Sequence, residues 1–112
     1  MTATVRQPGV DSAQAARRAA GAWLRDLREA RGLSQRQLAN LLGIEFYSFI
    51  AQIEAGRGRI PPERYEAWAL ALGADPRDFV RDVLRHYEPM TWRILFGQRS
   101  EPDTDARPED QG

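Results

Sequence analysis

The sequence predicts an all-α domain of five helices followed by a short apolar segment. Two observations carry that expectation. Apolar residues recur at three- and four-residue spacing, the period of a helix face, as in Ile50 and Ile53 or Phe79, Val80, Val83 and Leu84. Helix-starting residues (Ser34, Asp75-Pro76) and helix-stopping glycines (Gly32, Gly43, Gly73) stand at the borders of these segments.

Residues 1–11 are polar, contain Pro8-Gly9 and show no periodicity, so a flexible arm is expected there. Asp11 or Ser12 then caps a first helix with an alanine-rich, helix-favouring body weakened at Gly21. Its core face should be Trp23, Leu24, Leu27 and Ala30, and Arg31-Gly32 ends it. Ser34 opens the second helix, its hydroxyl available to the free amide of Gln37. Leu38, Ala39, Leu41 and Leu42 form its apolar face, and Gly43 stops it. The third helix is expected from about Phe46 to Glu54, burying Ile50 and Ile53. Gly56 and Gly58 bracket an arginine-rich loop. Pro61-Pro62 starts the fourth helix, with Tyr65, Trp68, Ala69 and Leu72 inward. Asp75-Pro76 begins the fifth, whose stripe is Phe79, Val80, Val83, Leu84 and Tyr87. Pro89 interrupts before the apolar stretch MTWRILF. The expected organisation is an arm over 1–11, a folded domain over 12–97 and a disordered acidic tail over 98–112.

Composition removes several function classes. A chain of 112 residues suits one small domain. Without cysteine there is neither a disulfide framework nor a thiolate metal site. The one histidine, His86, has no second imidazole to share a metal and reads as a packed or surface residue. Lysine is absent, which excludes a lysine phosphate loop. Ser34, Ser48 and Ser100 have no His–acid pair nearby in sequence. The carboxylates alternate with arginines on helix faces, as solvated surfaces do. Neither catalysis, cofactor nor metal is expected. No apolar run reaches the roughly 20 residues of a membrane span, and the N-terminal residues lack a signal-peptide core, so a cytoplasmic location is expected.

The formal charge of +0 conceals a split. From Arg99 to Gly112 there are two arginines against five acids, whereas residues 1–36 hold seven arginines against three. The basic part can serve a phosphate backbone.

Three stretches, LREARGLSQRQLANLLGI, IEAGRGRIP and ALALGADPRDF, occur in that order. Together they resemble the lambda-repressor/Cro-type helix-turn-helix family, often called XRE, over about residues 22–85. The resemblance implies a five-helix DNA-binding domain of a bacterial transcription regulator, with double-stranded DNA as partner and a homodimer reading an inverted repeat. In that geometry the second helix crosses the DNA backbone, presenting free amides and Gln35 to phosphate. The third enters the major groove. Counting from buried Ile50 and Ile53, its outward residues are Tyr47, Ser48, Ala51 and Gln52. Gln52 suits adenine through a bidentate amide; Ala51 suits only a thymine methyl. Arg57 and Arg59 follow on the loop as phosphate contacts, with Arg36 and Arg64 weaker candidates. By resemblance, Glu54 pairs with Arg28 as a structural ion pair.

The chain departs from the family between Gly43 and Ile50, where it has an extra residue and the aromatic segment GIEFYSF. Phe46 and Phe49 are expected to pack into the core as the turn lengthens. Alternatively this helix contacts protein, as an interaction module or an antitoxin on the same fold. Near the C-terminus, Met90, Trp92, Ile94, Leu95 and Phe96 offer material for a dimer contact, or for folding back over the first and fifth helices. No ligand-sensing domain is expected within the remaining residues.

Overall fold

A computed structural model describes residues 8–97 and is all-helical among them, with six α-helices and one 3-10 turn. Helix α1 runs from Pro8 to Ala30, earlier than expected. Proline suits a first helical position because its missing N–H would have no intrahelical partner there. The expected arm therefore yields residues 8–11 to the helix, while 1–7 and the acidic tail 98–112 lie outside the described residues.

Helix α2 (Gln35–Leu42) is closed at both ends by its own sequence. Ser34 Oγ accepts from the Gln37 amide at 3.0 Å, and the Gln37 side chain accepts from the Ser34 amide at 2.7 Å, a reciprocal capping box. Gly43 ends the helix at φ 70°, a left-handed conformation that disfavours a β-carbon. Leu38, Ala39 and Leu42 are buried, but Leu41 is 60% exposed. At 3.6 residues per turn, Leu41 lies about 100° round from Leu42, outside the stripe. Ala30 of α1 is exposed for the same reason: the expected stripe was too wide.

Helix α3 spans Ser48–Glu54, two residues shorter than expected, with Phe46 and Tyr47 forming the turn that enters it. A 3-10 turn at Pro62–Arg64 leads into α4 (Tyr65–Ala71). The Asp75 carboxylate caps α5 (Pro76–Tyr87), accepting from the Asp78 amide at 3.2 Å. The core gathers Leu24, Leu38, Ile50, Ile60, Trp68, Phe79 and Val83 from every helix up to α5 and from the loop before α4. Trp23 stacks on Phe79 and on His86, at 5.5 and 4.9 Å between centroids. His86 is thus a packed side chain, its Nδ1 within 2.9 Å of the Asp82 carbonyl.

The apolar stretch after Pro89 is a sixth helix, α6 (Pro89–Phe96), lying against α5. It does not fold back to complete the core. None of its residues is buried, and Met90, Ile94, Leu95 and Phe96 are exposed. Trp92 alone is half-buried, under the guanidinium of Arg85 at 5.7 Å.

Where α1 crosses α3, the backbones approach at Gly21. A β-carbon there would press into the Glu54 carbonyl and lie 2.7 Å from the Ile53 carbonyl oxygen. On propensity alone, alanine would stabilise this helix by about 1 kcal/mol. The contact reverses the sign. Gly21→Ala is expected to destabilise the domain by about 2 kcal/mol, through overpacking against backbone that cannot yield. Urea unfolding checks it; a gain in stability would show that the helices separate freely.

Candidate nucleic-acid interface

Helices α2 and α3 meet across the turn at residues 43–47, and one carboxylate ties them to α1. Glu54, the last residue of α3, accepts from Arg28 Nε at 2.6 Å and from Arg28 Nη2 at 3.0 Å. It accepts a third bond from Gln35 Nε2 at 3.0 Å. Arg28 also donates through Nη1 to the Leu33 carbonyl at 2.8 Å. The two charged side chains are 9% and 4% exposed. A planar guanidinium matches a carboxylate in this two-bond geometry, which an ammonium would not reproduce. The hydrogen bond to Glu54 raises the Arg28 pKa above the ordinary guanidinium value, against the opposing effect of burial. Three helices are therefore oriented by one cluster. Gln35 belongs to it, so its amide nitrogen turns inward instead of meeting phosphate as expected.

Around the cluster, α3 turns Tyr47, Ser48 and Gln52 to solvent, with Ala51 half-buried between them. Arg36 of α2 lies over the Tyr47 ring at 4.6 Å, so these two side chains form one unit across the helix pair. Arg57 is exposed just past α3. Arg59 is not part of this face. Its loop turns inward at Ile60, a core residue, and Arg59 points towards the end of α5. There it meets Glu88 at 3.3 Å, the Tyr65 hydroxyl at 3.5 Å and the face of Tyr87 at 4.4 Å. Arg64 is also engaged, donating to the carbonyl of Leu42 and so capping α2.

Phe46 and Phe49 do not pack into the core as expected; they are 62% and 59% exposed. Phe46 precedes the first turn of α3 and so escapes its periodicity, while Phe49 sits beside the buried Ile50–Ile53 stripe. With Ile44, Ile53 and Trp68 they wall an open groove of about 750 Å³ that Ser48 and Gln52 also line, rimmed by Arg57, Arg59, Glu63 and Arg64. No sequence signal separated these two rings from core residues. Among the described residues, no cluster of His, Asp or Glu could hold a metal, and no helix is long and apolar enough to cross a membrane.

Residues 19–83, more than half of the chain, match the helix-turn-helix domain family. No curated protein matches the chain.

Two substitutions test the supports of this face. Glu54→Gln leaves Arg28 charged and underpaired, with an expected cost of about 3 kcal/mol. Combined with Arg28→Met it should cost clearly less than the two single changes together, because the pair is coupled; additive losses in urea unfolding would contradict the coupling. The second concerns Tyr87, whose hydroxyl accepts from the Ile60 amide at 3.2 Å. Burial raises its pKa, with that hydrogen bond and Arg59 opposing. A raised phenol pKa leaves stability intact below the unfolded-state value of about 10 and removes it as pH rises through the folded value. Tyr87→Phe should cost about 1 kcal/mol near neutrality and flatten the alkaline loss. An unchanged slope above pH 10 would contradict it.

Proposed function

The chain belongs to the helix-turn-helix domain family, and on that premise we propose that it is a sequence-specific DNA-binding transcription regulator of the XRE type. The observation that carries this reading is the joint exposure of Ser48 and Gln52 on α3 and of Tyr47 in the turn that enters it, flanked by Arg36 and Arg57. Helix α3 enters the major groove, where Gln52 pairs with adenine and Ser48 meets a neighbouring base edge. Ala51, being half-buried, touches at most a thymine methyl. Helix α2 lies along the backbone, with its first-turn amides, Arg36 and Arg57 on phosphates. Arg59 and Gln35 act through the fold, by holding the loop and the Glu54 carboxylate.

A single small module buries little surface on DNA, so the protein acts as a homodimer on an inverted repeat. The exposed apolar residues of α6 (Met90, Ile94, Leu95 and Phe96, beside half-buried Trp92) supply the dimer contact. Its location is the cytoplasm of a bacterium, and its role is to occupy an operator rather than to catalyse a reaction. A second reading, a protein-interaction module or antitoxin on the same fold, is favoured by the exposed Phe46 and Phe49.

Selection from a random DNA pool, with mass measured in solution, tests both readings. The regulator reading expects an enriched inverted repeat bound by a dimer, with affinity falling steeply as salt rises. On that site Gln52→Ala should relax preference at one base step by about 1–3 kcal/mol. Arg57→Ala should weaken all sequences alike and reduce the salt slope by about one. Failure to enrich any sequence, with binding to a protein partner that ignores salt, would favour the second reading.

A further inference from the structure

We propose that residues 101–110 of this chain dock intramolecularly into the aromatic groove between α3 and the 3-10 turn, where they compete with DNA. The docking stands on charge, shape and reach; the competition alone rests on the DNA-binding reading above.

The charge of the groove favours an acidic occupant. Arg57 on its rim has no carboxylate partner among the described residues, and Arg64 holds only a backbone carbonyl. Glu63 is the one acid on that rim. Residues 101–110 carry Glu101, Asp103, Asp105, Glu109 and Asp110 against Arg107 alone. Such pairing between exposed groups is individually weak, but tethering supplies an effective concentration that a free peptide lacks.

The apolar walls add selectivity. Phe46 and Phe49 stay exposed along a groove that no side chain of the described residues covers. Proline rings pack well on aromatic faces, and the extended conformation that proline favours costs little entropy to hold. The acidic segment contains Pro102 between Glu101 and Asp103, and Pro108 before Glu109. Each proline thus arrives with carboxylates beside it, as a groove of aromatic walls and arginine rim requires.

The reach is sufficient. Glu88, one residue before α6, is bonded to Arg59, which itself lines the groove. Eight helical residues carry the chain about 12 Å further. From Gly97, extended chain covers about 14 Å to Glu101 and about 45 Å to Asp110. The segment can therefore return along α6 to the groove with length to spare.

The experiment compares the full chain with a variant in which the five acids are neutralised (E101Q, D103N, D105N, E109Q, D110N), without DNA, by NMR. Docking predicts shifts of the Arg57 Nε–H and the Phe49 amide between the two, unchanged on dilution, and partly reproduced by Pro102→Ala with Pro108→Ala. Identical spectra at those positions would overturn it. Differences that vanish on dilution would assign the contact to a second copy and overturn the intramolecular form. On a selected duplex, the neutralised variant should bind about fivefold tighter at low salt, with the gap closing as salt rises. Equal affinities at low salt, where the wild-type shifts are seen, would overturn the competition. If neither form binds any duplex, the regulator reading falls while the NMR comparison still decides the docking.

Discussion

The carboxylate of Glu54 is the point on which the geometry of α1, α2 and α3 converges. It accepts from two nitrogens of Arg28 and from the amide of Gln35, so the end of α3, the start of α2 and the last turn of α1 share one polar node. Helices of seven and eight residues are too short to hold their own direction in water. Apolar packing of Leu38, Ile50 and Ile53 brings them together but is tolerant of small rotations. A bidentate ion pair is not. It has one good geometry, and leaving that geometry strands charge away from water. The backbone contact at Gly21 acts beside it, since only a glycine lets α1 come close enough for Arg28 to reach.

Much of this fold was legible from residue chemistry because the relevant interactions are local. The Ser34–Gln37 box, the Asp75 cap and the turn at Gly43 depend on neighbours within four positions. The buried pairs on α3 and α5 follow from spacing alone. Apart from the helix starts at Pro8 and Ser48, the differences concern how wide a buried stripe is, or where a long side chain goes. Leu41 and Ala30 sit one step outside the stripes they were assigned to. Arg57 and Arg59 are two residues apart in one loop, yet one faces solvent and the other clamps Glu88 and Tyr87. What separates them is Ile60, whose burial draws the adjacent Arg59 towards the core, and that is a tertiary fact. Gly21 looked like a weak point in a helix; its meaning lies on α3. Among the candidate site residues, Gln35 was displaced for the same reason, drawn inward by a carboxylate nineteen positions away.

Among the described residues, two groups of apolar side chains stand exposed close together in sequence. One is the outer face of α6; the other is the pair of phenylalanines beside α3. Exposed apolar clusters of this kind are costly for solubility and are usually retained for contact. Their proposed uses differ, α6 for a second copy and the groove for the chain's own acidic segment. A second copy on α6 would leave the outward edge of α3 open to DNA, whereas a segment in the groove would lie against Ser48 and Gln52 and have to leave when DNA binds.

In the proposed complex the α2–α3 unit, held by Glu54, presents Ser48 and Gln52 to base edges. Chemical-shift mapping of the full chain against its own selected duplex addresses it most directly. The largest perturbations should fall on Tyr47, Ser48, Gln52, Arg36 and Arg57, with α6 changing little. Perturbations confined to α6 or to the far side of α1, with Ser48 and Gln52 unmoved at saturation, would contradict it.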